Sequence, residues 1–129
     1  MTGSLRGLKV LDFSTLLPGP MATLFLAEAG AEVIKIERTG TGEDMRYYPP
    51  TWGESSVNFS LLNRGKKSVT VDLKNKSERD KLIPLIEKAD IVVEQFRPGV
   101  MARLELDYES IKKINAKIIY CSISGFGQD

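Results

Sequence analysis

The strongest constraint on the fold is a strand, helix, strand pattern over residues 8–38. An apolar run at residues 8–13 predicts a buried strand, and an apolar helical pattern follows Pro18 and ends near residue 29. Proline suits the first turn of a helix, because the N–H that it lacks would be unpaired there in any case. A second apolar, β-branched run at residues 32–37 completes a βαβ unit, which joins two parallel strands.

Three further strand-like runs lie near residues 68–72, 90–94 and 117–123. Helical patterns separate them, one from Ser77 to Lys88 with Ser77 as its cap, and one that begins after Asp107. Pro84 lies inside the first of these helices and predicts that it bends or is shortened there. The alternation predicts an α/β fold, in which a Rossmann-like parallel sheet of about five strands carries helices on both faces.

The composition excludes several classes of function. The net charge of +1 gives no electrostatic reason to expect a nucleic acid or a membrane as partner. The chain has no histidine, which argues against a zinc site and against Ser-His-Asp or Cys-His catalysis, so we expect no metal. The single cysteine, Cys121, lies in an apolar run and is predicted to be buried, which suits a cytoplasmic protein without a disulfide framework. No apolar run is long enough to span a bilayer, and the first residues do not resemble a signal peptide.

The turn after the first strand, residues 14–20, lies where dinucleotide-binding proteins carry the G-x-G-x-x-G motif. Only Gly19 of that motif is present, although Glu37 stands where NAD enzymes place the acidic ligand of the ribose. The missing glycines argue against NAD or FAD. On position alone, Glu37 is a ribose ligand or a surface charge at the end of a strand.

Basic residues follow several of the predicted strands or precede the next one. Arg38 follows the second strand, Arg97 follows the fourth, and Arg64, Lys66 and Lys67 precede the third. The carboxyl ends of parallel strands form the ligand crevice of such a sheet, so these cations are candidates for phosphate contacts. The alternative is that they are ordinary solvated charges.

The stretch at residues 39–56 is long, irregular and aromatic, which indicates a functional loop or an interface. The last strand is followed by residues 125–128, Gly-Phe-Gly-Gln, and the sequence ends one residue later. A functional loop is expected at that point, so we expect residues 1–129 to be one part of a longer enzyme.

Five segments together carry a resemblance to a known family. They are residues 8–13, 30–38, 62–68, 95–99 and 122–128. In order and spacing they resemble the family III CoA-transferases, which include formyl-CoA and carnitine CoA-transferases and the α-methylacyl-CoA racemases. The resemblance covers essentially the whole chain and identifies residues 1–129 as the CoA-binding N-terminal part of the family's large domain.

The resemblance implies an activity and a mechanism. Members transfer CoA from an acyl-CoA donor to a carboxylic acid, and they form interlocked homodimers. An aspartate attacks the acyl-CoA carbonyl and forms a mixed anhydride, which is covalent catalysis by a carboxylate. Asp129 does not match the position of that aspartate, so the resemblance implies no catalytic residue in this sequence and no turnover by it alone.

The resemblance also implies which residues contact CoA. Arg38 matches a residue that packs on the adenine, with Leu16 near it. Gln95 stands where the family usually has asparagine, which departs from the pattern. The other matched positions, on the nucleotide portion and the phosphates, are Val71, Lys74, Phe96, Arg97 and Arg103.

Two alternatives to a transferase remain at this point. One is part of a 2-methylacyl-CoA racemase or epimerase, although the lack of histidine in the chain argues against its acid–base chemistry. The other is a CoA-binding or interaction module without catalytic activity.

Overall fold

A five-stranded parallel sheet organises the fold in the computed structural model, which describes residues 2–129. In chain order the strands are β1 (Lys9–Asp12), β2 (Glu32–Glu37), β3 (Thr51–Trp52), β4 (Ser55–Ser56), β5 (Lys67–Thr70), β6 (Ile91–Glu94) and β7 (Ile119–Ser122). The sheet has the order β5-β2-β1-β6-β7 with every neighbouring pair parallel, while β3 and β4 form a small antiparallel hairpin. The prediction of a parallel sheet of about five strands is confirmed.

The helices are α1 (Pro18–Glu28), α2 (Val57–Asn63), α3 (Lys76–Asp80), α4 (Ile83–Lys88), α5 (Val100–Arg103) and α6 (Tyr108–Ile114). They cover both faces of the sheet, as predicted. Successive residues of a strand point to opposite faces, so β1 contributes Val10 to one apolar cluster and Leu11 to another. The Val10 cluster includes Ala27 of α1, and the Leu11 cluster includes residues of α4, α5 and α6.

Pro84 divides the helix predicted over residues 77–88. The chain forms α3, breaks, and begins α4 with Pro84 in its first turn, where the missing N–H is harmless. The predicted cap is wrong. The Asn75 side chain, not that of Ser77, accepts hydrogen bonds from the N–H groups of Ser77 (2.9 Å) and Glu78 (3.4 Å). Asp107 caps α6 as predicted, with its carboxylate accepting from the Ser110 N–H.

Cys121 is exposed, which corrects the prediction that it is buried. The physical reason is the place of β7 at the edge of the sheet, where Ile119, two residues earlier on the same face, is also exposed. An apolar strand sequence therefore did not imply burial on both faces. Among residues 2–129, no helix combines the length and the apolar character needed to cross a bilayer.

The long stretch at residues 39–56 is more ordered than its composition indicates. It contains a 3-10 helix (Asp44–Tyr47) and the β3–β4 hairpin, with Trp52 largely exposed at the hairpin. Ser56 then caps α2, a helix that the sequence reasoning did not predict, by accepting a hydrogen bond from the Phe59 N–H.

The cap of α3 gives a test of this fold. We expect Asn75→Ala to lower the free energy of unfolding by about 1 kcal/mol, since two N–H groups lose their acceptor. Ser77→Ala is the matched control and leaves stability nearly unchanged, because its hydroxyl caps nothing. Urea unfolding of both variants measures the difference, and an equal loss in the two would show that the cap is assigned wrongly.

Candidate functional site

The turn between β1 and α1 (residues 13–17, the β1–α1 turn) crosses the carboxyl edge of the sheet. Leu16 within it has φ of +63°, a left-handed conformation that is uncommon for a residue with a side chain. The Leu16 N–H donates to the Glu43 carboxylate at 3.3 Å. The Gln95 side chain donates to the Thr15 carbonyl at 2.6 Å and accepts from the Gly19 N–H at 3.0 Å. Polar contacts from two other segments therefore hold this turn.

Gly19, in the first turn of α1, is required by close packing. A Cβ atom at this position would lie 2.1 Å from the Cβ of Ser14 and 2.6 Å from Oε1 of Gln95. Neither distance is possible for a real side chain, so only glycine lets α1 begin so close to the turn. The glycine that at first suggests a dinucleotide motif has a packing role.

Asp12 at the end of β1 pairs with Lys66 in the interior. The Lys66 ammonium lies 3.2 Å from Asp12 Oδ2, 2.7 Å from Thr23 Oγ1 and 2.9 Å from the Pro20 carbonyl. Both charged side chains are about 1% exposed or less. Burial lowers the pKa of Lys66, and the negative charge of Asp12 offsets part of this effect.

Lys35 of β2 forms a second buried ion pair, with Glu43. The Lys35 ammonium also donates to the Ser14 carbonyl at 2.9 Å, while Glu43 accepts from the Leu16 N–H. This pair therefore contacts the β1–α1 turn through both of its members. It links the turn to β2 and to the segment that precedes the 3-10 helix.

Glu37 at the end of β2 forms the third pair, with Arg46. Two hydrogen bonds of 2.7 and 2.6 Å join the guanidinium to the carboxylate, which also accepts from Ser68 and from the Glu43 N–H. Burial alone would raise the pKa of Glu37, but these donors outweigh it and lower the pKa to about 2. Glu37 is thus neither a ribose ligand nor a solvated surface charge.

The basic residues at and before the start of β5 also contact other residues of the chain, and Lys67 lies at the amino edge of the sheet beside Glu32. Besides Lys66, Arg64 pairs with Glu28 and Lys67 pairs with Glu32. The prediction that these cations face phosphates finds no support, since Arg64 and Lys67 form exposed surface pairs, as the alternative interpretation expected. Lys66 in particular is part of the interior.

Arg38 follows β2 and lies at the surface. Its guanidinium contacts Asp44 and donates from Nε to the Gly42 carbonyl at 3.1 Å. Both Arg38 and Asp44 are more than half exposed, and such pairs contribute only about 0–1 kcal/mol. A ligand can therefore replace Asp44 at small cost.

Lys74, Arg97 and Arg103 are exposed and make no ion pair with any described residue. Arg97 and Arg103 flank Gly99, whose left-handed φ of +84° turns the chain into α5. Arg103 Nη1 would lie 3.5 Å from a Cβ at Gly99, so its guanidinium folds back over that turn. Since α5 is a single turn of helix, these side chains, and not the helix terminus, provide the positive charge.

Arg79 brings the segment that contains Lys74 close to the end of α5. Its guanidinium donates to the Leu73 carbonyl at 2.8 Å and lies 3.6 Å from the Glu105 carboxylate. Lys74 follows Leu73 directly, and Arg103 precedes Glu105 by two residues. One guanidinium therefore holds together two segments that each carry an exposed cation.

The remaining predicted contact residues are less accessible. Val71 packs in the core with 3% of its surface exposed, and Phe96 is half-buried against the same cluster. Leu16 and Gln95 meet at the β1–α1 turn, as described above. The structure thus places all eight predicted residues at or just beneath the carboxyl edge of the sheet, and it brings them together in neighbouring groups and not in one cluster.

Two cavities lie at opposite ends of the strands. One, of about 320 Å³, opens at the carboxyl ends of β6 and β7, and Arg97, Glu94 and Tyr120 are among its lining residues. Burial and the nearby Glu94 raise the pKa of Tyr120. The other, of about 280 Å³, opens at the amino edge beside Gly30 and Gly65.

The carboxyl edge is suited to an extended anionic ligand. Lys74, Arg97 and Arg103, which have no ion-pair partner among residues 2–129, follow β5 and β6, and the weakly paired Arg38 follows β2. Among residues 2–129, no group of three His, Cys, Asp or Glu side chains is placed to hold a metal ion.

Sequence reasoning missed the buried charges of Asp12, Lys35 and Glu43, and the partly exposed Arg46 that pairs with Glu37. One signal was available for Lys35, because it shares a strand face with the apolar Val33. A charge on the inward face of a buried strand requires a partner nearby. Nothing in the sequence identifies that partner as Glu43.

Comparison with known proteins gives consistent matches. The profile of CoA-transferase family III matches residues 5–129. The acetyl-CoA:oxalate CoA-transferase of Acetobacter aceti is 47% identical over 98% of this chain and 32% of its own length. The human succinyl-CoA:glutarate CoA-transferase is 43% identical over 96% of this chain and 28% of its own. This chain therefore spans about a third of the length of these relatives.

Solved structures show the same similarity. A CAIB/BAIF family protein from Brucella suis superposes with a TM-score of 0.92 at 40% identity, over 100% of this chain and 35% of that one. The protein Rv3272 from Mycobacterium tuberculosis superposes with a TM-score of 0.91 at 39% identity, over 99% of this chain and 35% of its own.

The Glu37–Arg46 pair predicts acid sensitivity. A carboxyl whose pKa is lowered on folding stabilises the fold above its ordinary pKa of 4.5, and this contribution is lost as the pH falls towards about 2. The shift corresponds to at most about 3 kcal/mol, and solvent around the partly exposed Arg46 screens part of this contribution. We expect Glu37→Gln to flatten the fall in unfolding free energy across this pH range.

Urea unfolding at a series of pH values measures this slope. Glu109→Gln is the control, since Glu109 is exposed and lies 4.0 Å from its partner Lys112. The assignment is contradicted if the Glu37→Gln and Glu109→Gln variants follow the same pH dependence.

Proposed function

Because this chain belongs to CoA-transferase family III, we propose that it forms the CoA-binding part of an enzyme that moves CoA from an acyl-CoA to a carboxylic acid. The observation that carries the proposal is a set of exposed cations at the carboxyl edge that pair with no acidic group in the described part of the chain, Lys74, Arg97 and Arg103. CoA offers phosphate groups for these cations and an adenine for a planar guanidinium. The relatives are named as CoA-transferases, which favours transfer over racemisation.

We infer a division of roles among the edge residues. Arg38 stacks on the adenine, with Leu16 and Val71 near the nucleotide. Lys74, Arg97 and Arg103 pair with the phosphates, and Gln95 and Phe96 lie beneath the path of the ligand at the end of β6. This arrangement follows the carboxyl ends of β5, β2, β1 and β6, which are consecutive in the sheet.

The chemistry of transfer requires a carboxylate nucleophile in the whole enzyme. That carboxylate attacks the acyl carbon, the carbon–sulfur bond breaks, and the CoA leaves as thiolate while a mixed anhydride forms. The thiolate then attacks the enzyme's own carbonyl in this anhydride, which releases the donor acid as a carboxylate and leaves CoA on the enzyme as a thioester. The acceptor carboxylate displaces the thiolate from that thioester and forms a second anhydride. The thiolate finally attacks the acceptor carbonyl, which forms the new acyl-CoA and frees the enzyme carboxylate. The part played by residues 1–129 is to hold the CoA during these steps, and we expect this chain alone to give no turnover.

Calorimetric titration with CoA tests the proposal. Charge-assisted hydrogen bonds contribute about 1.5–3 kcal/mol each, so Arg97→Ala and Arg103→Ala should each weaken CoA binding by about tenfold or more. Dephospho-CoA lacks the 3′-phosphate. If one of the two arginines pairs with that phosphate, replacing it by alanine weakens binding of CoA but hardly changes binding of dephospho-CoA.

Arg38 is tested by two substitutions. Arg38→Lys keeps the charge but loses the planar surface, so a stacking role predicts weakened binding in both Arg38→Lys and Arg38→Ala. Arg6→Ala is the control, since Arg6 is exposed and precedes β1 at the opposite edge. Equal CoA affinity in the wild type and in all the edge variants would contradict the proposed site.

A further inference from the structure

The side-chain amide of Gln95 makes one hydrogen bond from its nitrogen and one to its oxygen, both with the β1–α1 region. Nε2 donates to the Thr15 carbonyl at 2.6 Å, and Oε1 accepts from the Gly19 N–H at 3.0 Å. One amide thus joins the turn to the first turn of α1. We call this pair of hydrogen bonds the Gln95 bridge.

The bridge spans a residue whose backbone conformation needs support from its surroundings. Leu16 lies between Thr15 and Gly19 and has φ of +63°. A left-handed residue with a side chain persists only where its surroundings hold it. The Glu43 carboxylate supports Leu16 from the side of β2, and Gln95 supports the turn from the side of β6.

The topology explains why residue 95 can reach the turn. Strands β1 and β6 are neighbours, and the Phe13 N–H donates to the Val93 carbonyl at 2.8 Å, just beyond the end of β1. Residue 95 therefore follows β6 beside the start of the turn. The side chain must extend from there to two backbone groups four residues apart, which favours glutamine over the shorter asparagine.

We propose that Gln95 is a positioning residue: it sets the shape of the β1–α1 turn beneath the ligand, and it acts on CoA through Thr15 and Gly19 without contacting CoA itself. The part that concerns CoA rests on the proposed function. The bridge stands on the hydrogen bonds alone, so the two parts can be tested separately.

The first measurement is amide hydrogen exchange at Gly19, followed by NMR without ligand. Gln95→Met keeps the length of the side chain but removes both hydrogen bonds. From the usual strength of one hydrogen bond, we expect exchange at Gly19 to accelerate roughly three- to tenfold. Gln95→Asn keeps the amide but is one methylene shorter, so we expect it to make one of the two bonds at most and to restore only part of the protection.

The second measurement is CoA affinity by calorimetry for the same proteins, well below their melting temperatures. The proposal predicts that affinity falls in the order wild type, Gln95→Asn, Gln95→Met, in step with the exchange at Gly19. Asn115→Ala is the matched control. Its amide likewise bridges two backbone groups, the carbonyls of Ile86 (2.9 Å) and Ala89 (2.7 Å), but at the opposite edge of the sheet. We expect it to lower stability without changing Gly19 exchange or CoA affinity.

The other possible outcomes test the two parts of the proposal, the bridge itself and its effect on CoA binding, separately. Unchanged exchange at Gly19 in Gln95→Met overturns the bridge, and a loss of CoA affinity with that unchanged exchange identifies Gln95 as a direct ligand. Faster exchange with unchanged CoA affinity overturns the positioning role. A wild-type chain that binds no CoA contradicts the proposed function and with it the role of Gln95 towards CoA, whereas the exchange result still decides whether the bridge exists.

Discussion

Three ion pairs underlie the arrangement of this domain. Asp12–Lys66 and Lys35–Glu43 are buried on both sides, and the third pair joins the buried Glu37 carboxylate to the partly exposed Arg46. Burying a charge costs several kcal/mol unless a partner and further hydrogen bonds compensate it, so each pair requires the other segment to be in place. Through these pairs the sheet holds the 3-10 helix, the end of α2 and the β1–α1 turn. The carboxyl edge has its shape because these six charges satisfy one another.

The charges of the molecule therefore fall into two groups with different roles. Lys35 and Lys66 lie in the interior, where they stabilise the fold and are closed to a ligand. Lys74, Arg97 and Arg103 lie at the surface without partners among the described residues, so an anionic ligand can bind them without breaking the fold. Arg38 belongs to neither group: it has a partner, Asp44, but this exposed pair is weak enough for a ligand to replace Asp44.

The sequence predicts the sheet well because the spacing of apolar residues along the chain indicates which side chains are buried in the core. The five parallel strands, the break at Pro84 and the cap at Asp107 all follow from local patterns. The burial of Cys121 was predicted wrongly, because strand order, which places β7 at an edge, is not a local property. The ion pairs of Glu37 and Lys66 were also missed, because their partners Arg46 and Asp12 lie 9 and 54 residues away in the sequence. The contact residues carried over from the resemblance stay predictions.

The most direct test of the account is to follow the backbone amide resonances of the chain while CoA is added. Binding at the carboxyl edge predicts shifts at Leu16, Arg38, Lys74, Arg97 and Arg103, and none at the amino-edge cavity beside Gly30 and Gly65. Shifts concentrated at that amino-edge cavity, or no shifts at millimolar CoA, would contradict the account.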